Sequence, residues 1–415
     1  MYAREVWPWA LLGIASGLVE GGTVAVLVKK GYSGLVEPHW VDFAVAVVSG
    51  APALANIFSF AWANLAHGRA RVGVLVTLQA SFAVAVGLVA LAPIVPGGLL
   101  MTIFAVLVAR ILWAGVLTVR AAVWSANYPR HVMARITGRI VMVSSLGVAC
   151  GALMVGRILD LHAPAARWLY LFAALCGVVA AFLYRAVRVR RQYQLLAAEI
   201  GSSPLSSTFS LSMLREILRA DASFRRYMFW MSLYGSGNLM MNAQLVVLFS
   251  DRMHLASLTQ ILILTVLPML LIPLVLPWWA RLFDRGHIIE YRSRQCWALV
   301  GAILLLTLGV VFRQNWLLWP GAALIGVSYA GANLGWNLGH NDFATPGRAQ
   351  HYMGVHVTLT GVRGLIAPPL GIAFYELLER ARPGWGTAAL LLPLGLVTAG
   401  AIGFVKMRDM ARVRI

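Results

Sequence analysis

Trp62-Ala63-Asn64-Leu65-Ala66-His67-Gly68-Arg69-Ala70-Arg71 closes one long apolar run, and Trp279-Ala280-Arg281-Leu282-Phe283-Asp284-Arg285-Gly286-His287 closes another 217 positions later. Tryptophan, alanine and leucine coincide at that offset, and glycine and arginine follow in both copies. In a chain of 415 residues the offset is half the length. The second half therefore reads as a repeat of the first.

Hydrophobic residues make up 60% of the chain and charged residues 12%, against roughly a quarter charged in ordinary globular proteins. Mean hydropathy is +0.77. A helix needs about 20 mostly apolar residues to cross the hydrocarbon layer, and segments of that length recur from end to end. The reading is an all-α integral membrane protein with twelve spans, at 6–28, 40–66, 73–93, 98–120, 136–161, 168–187, 227–249, 258–283, 296–312, 316–338, 352–378 and 387–405. Both termini then lie on one side.

The net charge of +19 follows the loop rule for orientation rather than a nucleic-acid footprint. Arg69, Arg71, Arg130, Arg135, Arg139, Arg281, Arg285, Arg292, Arg294 and the arginines between 185 and 226 fall on the side of the termini. Lys29, Lys30, Arg157, Arg252 and Arg313 are among the fewer on the other. The expected setting is the plasma membrane, a bacterial inner membrane, with both termini cytoplasmic and basic loops against anionic lipid. Glu20 interrupts the first apolar run and no small-residue cleavage site follows, so an uncleaved first helix is expected. Cys150, Cys176 and Cys296 all fall in spans without paired spacing, so neither a disulfide framework nor a metal site is implied. Met228, Met231, Met240 and Met241 read as apolar filler.

The longest polar stretch, 188–226, separates six spans from six, giving bundles 1–187 and 227–415 and a linker. The linker holds Gly201-Ser202-Ser203-Pro204, Ser206, Ser207 and Thr208, a flexible composition. Its later part sets Leu211, Leu214, Ile217 and Leu218 on one helical face, which suits either an interfacial helix or a solvated connector. Further landmarks fall one position from that offset: Gly138 with Gly354 and Asp160 with Glu376, both at 216, and Tyr128-Pro129-Arg130 near Thr345-Pro346-Gly347-Arg348. Trp7, Trp9, Trp40, Trp168, Trp230, Trp278, Trp279, Trp297, Trp316, Trp319 and Trp385 fall near span ends and read as headgroup anchors.

Twelve helices in two halves, a basic central loop and the Trp62 and Trp279 loops together resemble the major facilitator superfamily along essentially the whole chain. The family's loop pattern is roughly Gly-x-Leu-x-Asp-Arg-x-Gly-Arg. Leu65, Gly68, Arg69 and Arg71 match it in the first half, with His67 where the acid is expected; Leu282, Asp284, Arg285 and Gly286 match it in the second. The resemblance implies two pseudo-symmetric six-helix bundles, transport of a small solute without a cofactor, and a gating latch at Arg69, Arg71, Asp284, Arg285 and Gly286. Gly147 and Gly151 in the fifth span, with Gly361, Gly364, Pro368, Pro369 and Gly371 in the eleventh, partly match the signature of proton-coupled exporters, though the fifth span lacks its proline. Close helix packing is the simpler reading of those glycines.

An ionisable group inside a span is a functional candidate by default. Glu20, Arg110 and Arg363 qualify, Arg363 and Arg110 lying near mid-membrane by helix rise. Depth alone leaves open whether Glu20 meets Arg110 or titrates freely. Asn238 and Asn242 share one face of the seventh helix, and Asn333, Asn337 and His340 one face of the tenth. Glu20, Arg110, Arg363, Asn238, Asn242, Asn333 and Asn337 are the expected transport pathway, with helix-to-helix hydrogen bonding the competing role for the amides, while His340 and Asp342, close to the cytoplasmic end, read as solvated. The leading expectation is a monomeric secondary transporter working by alternating access, with export of a small organic solute against inward proton flow slightly preferred. An importer or facilitator of an anionic solute, with Arg110 and Arg363 as contacts, and a non-transporting membrane sensor or assembly factor are the alternatives. No nucleotide-binding loop and no catalytic constellation points to an enzyme.

Overall fold

A computed structural model of the chain describes residues 2–200, 211–344 and 348–412. The Gly/Ser/Pro stretch 201–208 and residues 345–347 of the Thr345 motif lie outside them. Among the described residues there is no β-strand, and ten segments are long and apolar enough to cross a membrane. Five lie before the linker: α1 (Tyr2–Tyr32), α2 (Pro38–Ala66), α3 (Arg71–Leu91), α4 (Pro96–Asn127) and Ile136–Tyr184. The last holds two helices, α5 (Arg130–His162) and α6 (Ala166–Tyr184), joined by a short 3-10 turn. Two short helices, α7 (Gln192–Ile200) and α8 (Leu211–Ala220), belong to the linker. Then come α9 (Ala222–Asp251), α10 (Ser257–Phe283), α11 (Ile288–Val311), α12 (Asn315–Asp342), α13 (Ala349–Ala381) and α14 (Trp385–Met410). With α9, 30 residues long, the spanning helices are twelve.

The two halves pack alike. In the first, α1 lies on α5 and α6, α3 on α4 and α6, and α2 on α4. In the second, α9 lies on α13 and α14, α11 on α12 and α14, and α10 on α12. The repeated tryptophans account for part of this likeness. Trp62 Nε1 donates to the Ile111 carbonyl at 3.0 Å and Trp279 Nε1 to the Val327 carbonyl at 2.8 Å. Each ring also lies against a glycine of the fourth helix of its half. A Cβ added at Gly115 would come within 2.9 Å of the Trp62 ring, and one at Gly331 within 3.0 Å of the Trp279 ring.

Several residues sit deeper than the sequence implies. Trp279, grouped above with headgroup anchors, is 3% exposed; Trp9 is fully buried among Trp113, Trp124 and Tyr184. Helix α11 starts at Ile288, eight residues before the expected 296, because Arg292 and Arg294 mimic a loop in a hydropathy window. Arg292 is fully buried and donates to Gln295 Oε1 at 2.8 Å. The bundle interior, not lipid, surrounds that charge.

Helices α1 and α5 approach closely through paired small residues. A Cβ at Gly147 would come within 3.0 Å of the Ile14 nitrogen, and one at Gly151 within 2.9 Å of Leu18; Gly13 and Gly17 face Ser144 and Val148 in return. Glycines four apart on both helices let the backbones meet.

Candidate functional site

A cavity of about 850 Å³ lies between the halves, walled by α2 and α4 on one side and α12 and α13 on the other. Asn56 and Ala114 line its deep part, and His67, His340 and His351 its outer part. Those histidines stand at helix ends next to the end of the bundle that carries both chain ends, so the cavity reaches that end. The opposite end is closed. Lys29 Nζ lies 2.7 Å from Asp42 Oδ1 and 2.6 Å from Asp251 Oδ2, tying α1 and α2 to α9. Asp160 at the end of α5 accepts from the backbone nitrogens of Ser257 at 2.7 Å and Leu258 at 2.9 Å, capping the positive start of α10. Thr23 and Thr265 hydroxyls meet at 3.4 Å. A Cβ at Gly364 of α13 would come within 2.7 Å of Ala53 of α2.

Glu20 stands at a break in α1. The helix stops at Leu18 and resumes at Gly21, leaving Glu20 extended at φ −65° and ψ 139°. Its Oε2 is 3.1 Å from Arg110 Nη1, and Arg110 is 7% exposed. Asn333 and Asn337 line the cavity, where Asn337 Nδ2 donates to the Asn333 carbonyl at 2.7 Å. Asn238 Oδ1 accepts from the Tyr329 hydroxyl at 3.3 Å and Asn242 donates to the same oxygen at 3.5 Å, so these two amides join α9 to α12. Arg363 donates to the Met231 and Leu359 carbonyls and to Thr360 Oγ1, fastening α13 to α9. Glu20, Arg110, Asn238, Asn242 and Arg363 do not line this cavity.

Two charged residues of this region are missed by sequence reasoning. Arg120 falls at the edge of the fourth span as read from hydropathy, but α4 runs on to Asn127 and brings it into the cavity wall. Its guanidinium carbon is 4.7 Å from the Trp9 ring centre and 4.3 Å from that of Trp124. Glu5 is fully buried and accepts from Trp124 Nε1 at 2.7 Å, Tyr128 OH at 2.7 Å and Tyr184 OH at 3.3 Å. Lys29 is the third surprise, since it reads as an outer loop cation. The thirteen-residue spacing of Lys29 and Asp42 across a hairpin is a signal that could have paired them.

At the first-half loop a carboxylate does occur, from elsewhere in the chain. Glu199 on the linker helix α7 pairs with Arg71 Nη2 and accepts from the Gly68 backbone nitrogen at 3.0 Å, and its own carbonyl is 3.1 Å from His67 Nε2. Burial by itself would raise the Glu199 carboxyl, but the Gly68 N–H and the Arg71 guanidinium hold it below the ordinary value. In the second half Asp342, at the end of α12, accepts from the Ile288 nitrogen at 2.6 Å and so caps α11 beside the Asp284 loop. Asp284 caps the end of α10, and Gly286 lies against Glu290, which pairs with Arg294 at 2.9 Å. Asp284, Arg285 and Arg69 form no ion pair among the described residues.

The described residues include no cluster of three or more histidines, cysteines or carboxylates that could hold a metal ion. Among solved structures the chain is similar to the nucleoside transporter NupG, with a TM-score of 0.73 at 12% identity over 98% of both chains. It is also similar to a POT family transporter in complex with 5-aminolevulinic acid, with a TM-score of 0.72 at 13% identity over 98% of this chain and 96% of that one. A third similar structure is the xylose transporter XylE from E. coli in a partially occluded inward open conformation, with a TM-score of 0.64 at 9% identity over 98% of both. At such identities these likenesses establish the fold. No curated protein sequence matches the chain significantly. The model of the Major Facilitator Superfamily, however, matches residues 9–404. This chain, with its two alike six-helix bundles and the cavity between them, belongs to the major facilitator superfamily.

Proposed function

We propose that this membrane transporter carries a small organic solute by alternating access and that the structure is its cytoplasm-open state. One observation carries the reading: the cavity of about 850 Å³ between the halves reaches the end bearing both chain ends, while Lys29, Asp42 and Asp251 join the halves at the other. A carrier of this kind opens its two ends in turn around a central site. The rocking bodies are residues 1–187 and 227–415, tethered by 188–226. The arginine-rich loops argue for cytoplasmic termini in a bacterial inner membrane, and one chain supplies the whole cavity, so a monomer suffices.

Coupling is assigned to Glu20. Its carboxylate stands inside the membrane at the break in α1, paired with Arg110, where a change in that contact bears on how the helix bends; inward proton flow driving solute export is the direction proposed. The latch on the cytoplasmic side is assigned to Arg71, Gly68 and Glu199 in the first half and to the Asp284–Arg285–Gly286 loop in the second. In the first half the linker supplies the acid that His67 displaces.

Flux in proteoliposomes with an imposed pH gradient, screened over a compound panel, tests the reading. Glu20→Gln should lower gradient-driven flux at least tenfold, about 1.4 kcal/mol in the barrier, while solute exchange without a gradient persists. Unchanged gradient dependence in that variant removes Glu20 as the coupling group.

A further inference from the structure

The cavity wall is chemically one-sided. Among the described residues it holds Arg120, three histidines and five asparagines, and no carboxylate. Arg120 forms no salt bridge or hydrogen bond among the described residues and its Nε is buried without a partner; its guanidinium lies over the faces of Trp9 and Trp124, with the Glu5 carboxylate as the nearby opposite charge. Glu5, the carboxylate of the same aromatic cluster, already accepts from Trp124, Tyr128 and Tyr184. His340 Nδ1 and His351 Nδ1, on residues of the opposite wall, are likewise buried and unpartnered. A buried polar group without a partner is costly, and more so if charged, so a cluster of them around one cavity marks where a ligand completes the bonding.

We infer that this cavity binds a small organic anion, its carboxylate or phosphate head between Arg120 of the first half and His340 of the second. The inference rests on the transporter reading above and gives it a substrate class. Arginine suits such a head because its planar fork donates two parallel hydrogen bonds, and the two indole faces fix the plane of that fork. The remaining wall accepts an organic body: Phe60, Leu117, Trp336 and Val357 are apolar, and Asn333 and Asn337 offer amides to polar substituents. A cavity of about 850 Å³ falls in the range of roughly 300–1,000 Å³ common for drug-sized ligands. A head held by a residue of each half would tie binding to the approach of the two halves.

Four probes with one body and different heads test the assignment: benzoate, phenyl phosphate, benzamide and benzylamine. Melting of the full-length chain in detergent should rise with benzoate or phenyl phosphate in a dose-dependent way, and not with benzamide or benzylamine; the better of the two anions identifies the head. Arg120→Gln should weaken the effect at least tenfold and Arg120→Lys less. Because Arg120 also packs between tryptophans, His340→Gln serves as a second variant; it should keep the fold and weaken anion binding severalfold. Stabilisation by benzylamine or benzamide equal to that by the anions, or no anion effect at millimolar concentrations in the folded protein, overturns the assignment. Proteoliposome flux separates the two readings. Flux of a cation or neutral solute untouched by anions leaves transport standing and removes the anion; anion binding without flux of any compound does the reverse.

Discussion

Lys29 is 4% exposed and holds Asp42 and Asp251 at once, so this side chain of the first half ties one end of the molecule to the second. Removing one member of a buried ion cluster leaves the others uncompensated, at a cost of roughly 3 kcal/mol. Lys29→Met should therefore lower the melting temperature and raise labelling of a cysteine placed at that end, read with a membrane-impermeant thiol reagent. The charge was legible in the sequence, but its depth was not, since a hydropathy window assigns a lysine at a span end to the loop. Arg292 escaped for the same reason, and Arg120 because it stood at the last position of its span. Hydropathy reports the mean polarity of a segment, whereas burial depends on which face of the helix meets the bundle. Glu20 was legible because an acid within an apolar run is costly wherever it faces, although its pairing with Arg110 needed coordinates.

At the scale of elements, the linker helix α7 contributes more than a tether. Glu199 binds Arg71 and the Gly68 nitrogen, so loss of its charge should loosen the first-half loop. Glu199→Gln should speed hydrogen exchange in residues 64–71 severalfold and raise access to the cavity mouth, with unchanged exchange counting against the latch. Because the folded-state value of Glu199 is depressed, its stabilising contribution is fully present above the ordinary carboxylate range. It is lost only as pH falls through that lowered value, so the clamp persists at neutral pH. The loop motif itself exposed the vacancy at His67; the compensating acid lies 132 positions away in a segment read only for composition, where nothing in spacing connects the two. The α1–α5 contact belongs to this scale as well. Gly151→Leu should part the helices and lower the melting temperature by several degrees, while Gly73→Ala, with nothing within 4 Å of the added Cβ, should leave it unchanged.

For the whole molecule, alternating access requires the closed end to open. Thr23→Cys with Thr265→Cys, in a chain whose three native cysteines are replaced, joins α1 to α10 where the hydroxyls now meet at 3.4 Å. Oxidation should abolish flux and reductant should restore it; full flux in the cross-linked protein would show that this end never parts. The amino-acid sequence by itself determined the membrane setting, the spans to within a few residues at most ends and the repeat, because these follow from hydropathy and periodicity along the chain, and the two loop motifs carried the resemblance to the family. It also singled out Trp62 and Trp279 before their matching hydrogen bonds were known. Only the tertiary structure decided which charges face the cavity, which hold helices together and which seal one end. Those roles depend on contacts between residues up to 242 positions apart, as at Thr23 and Thr265, and on the direction each helix face takes in the bundle.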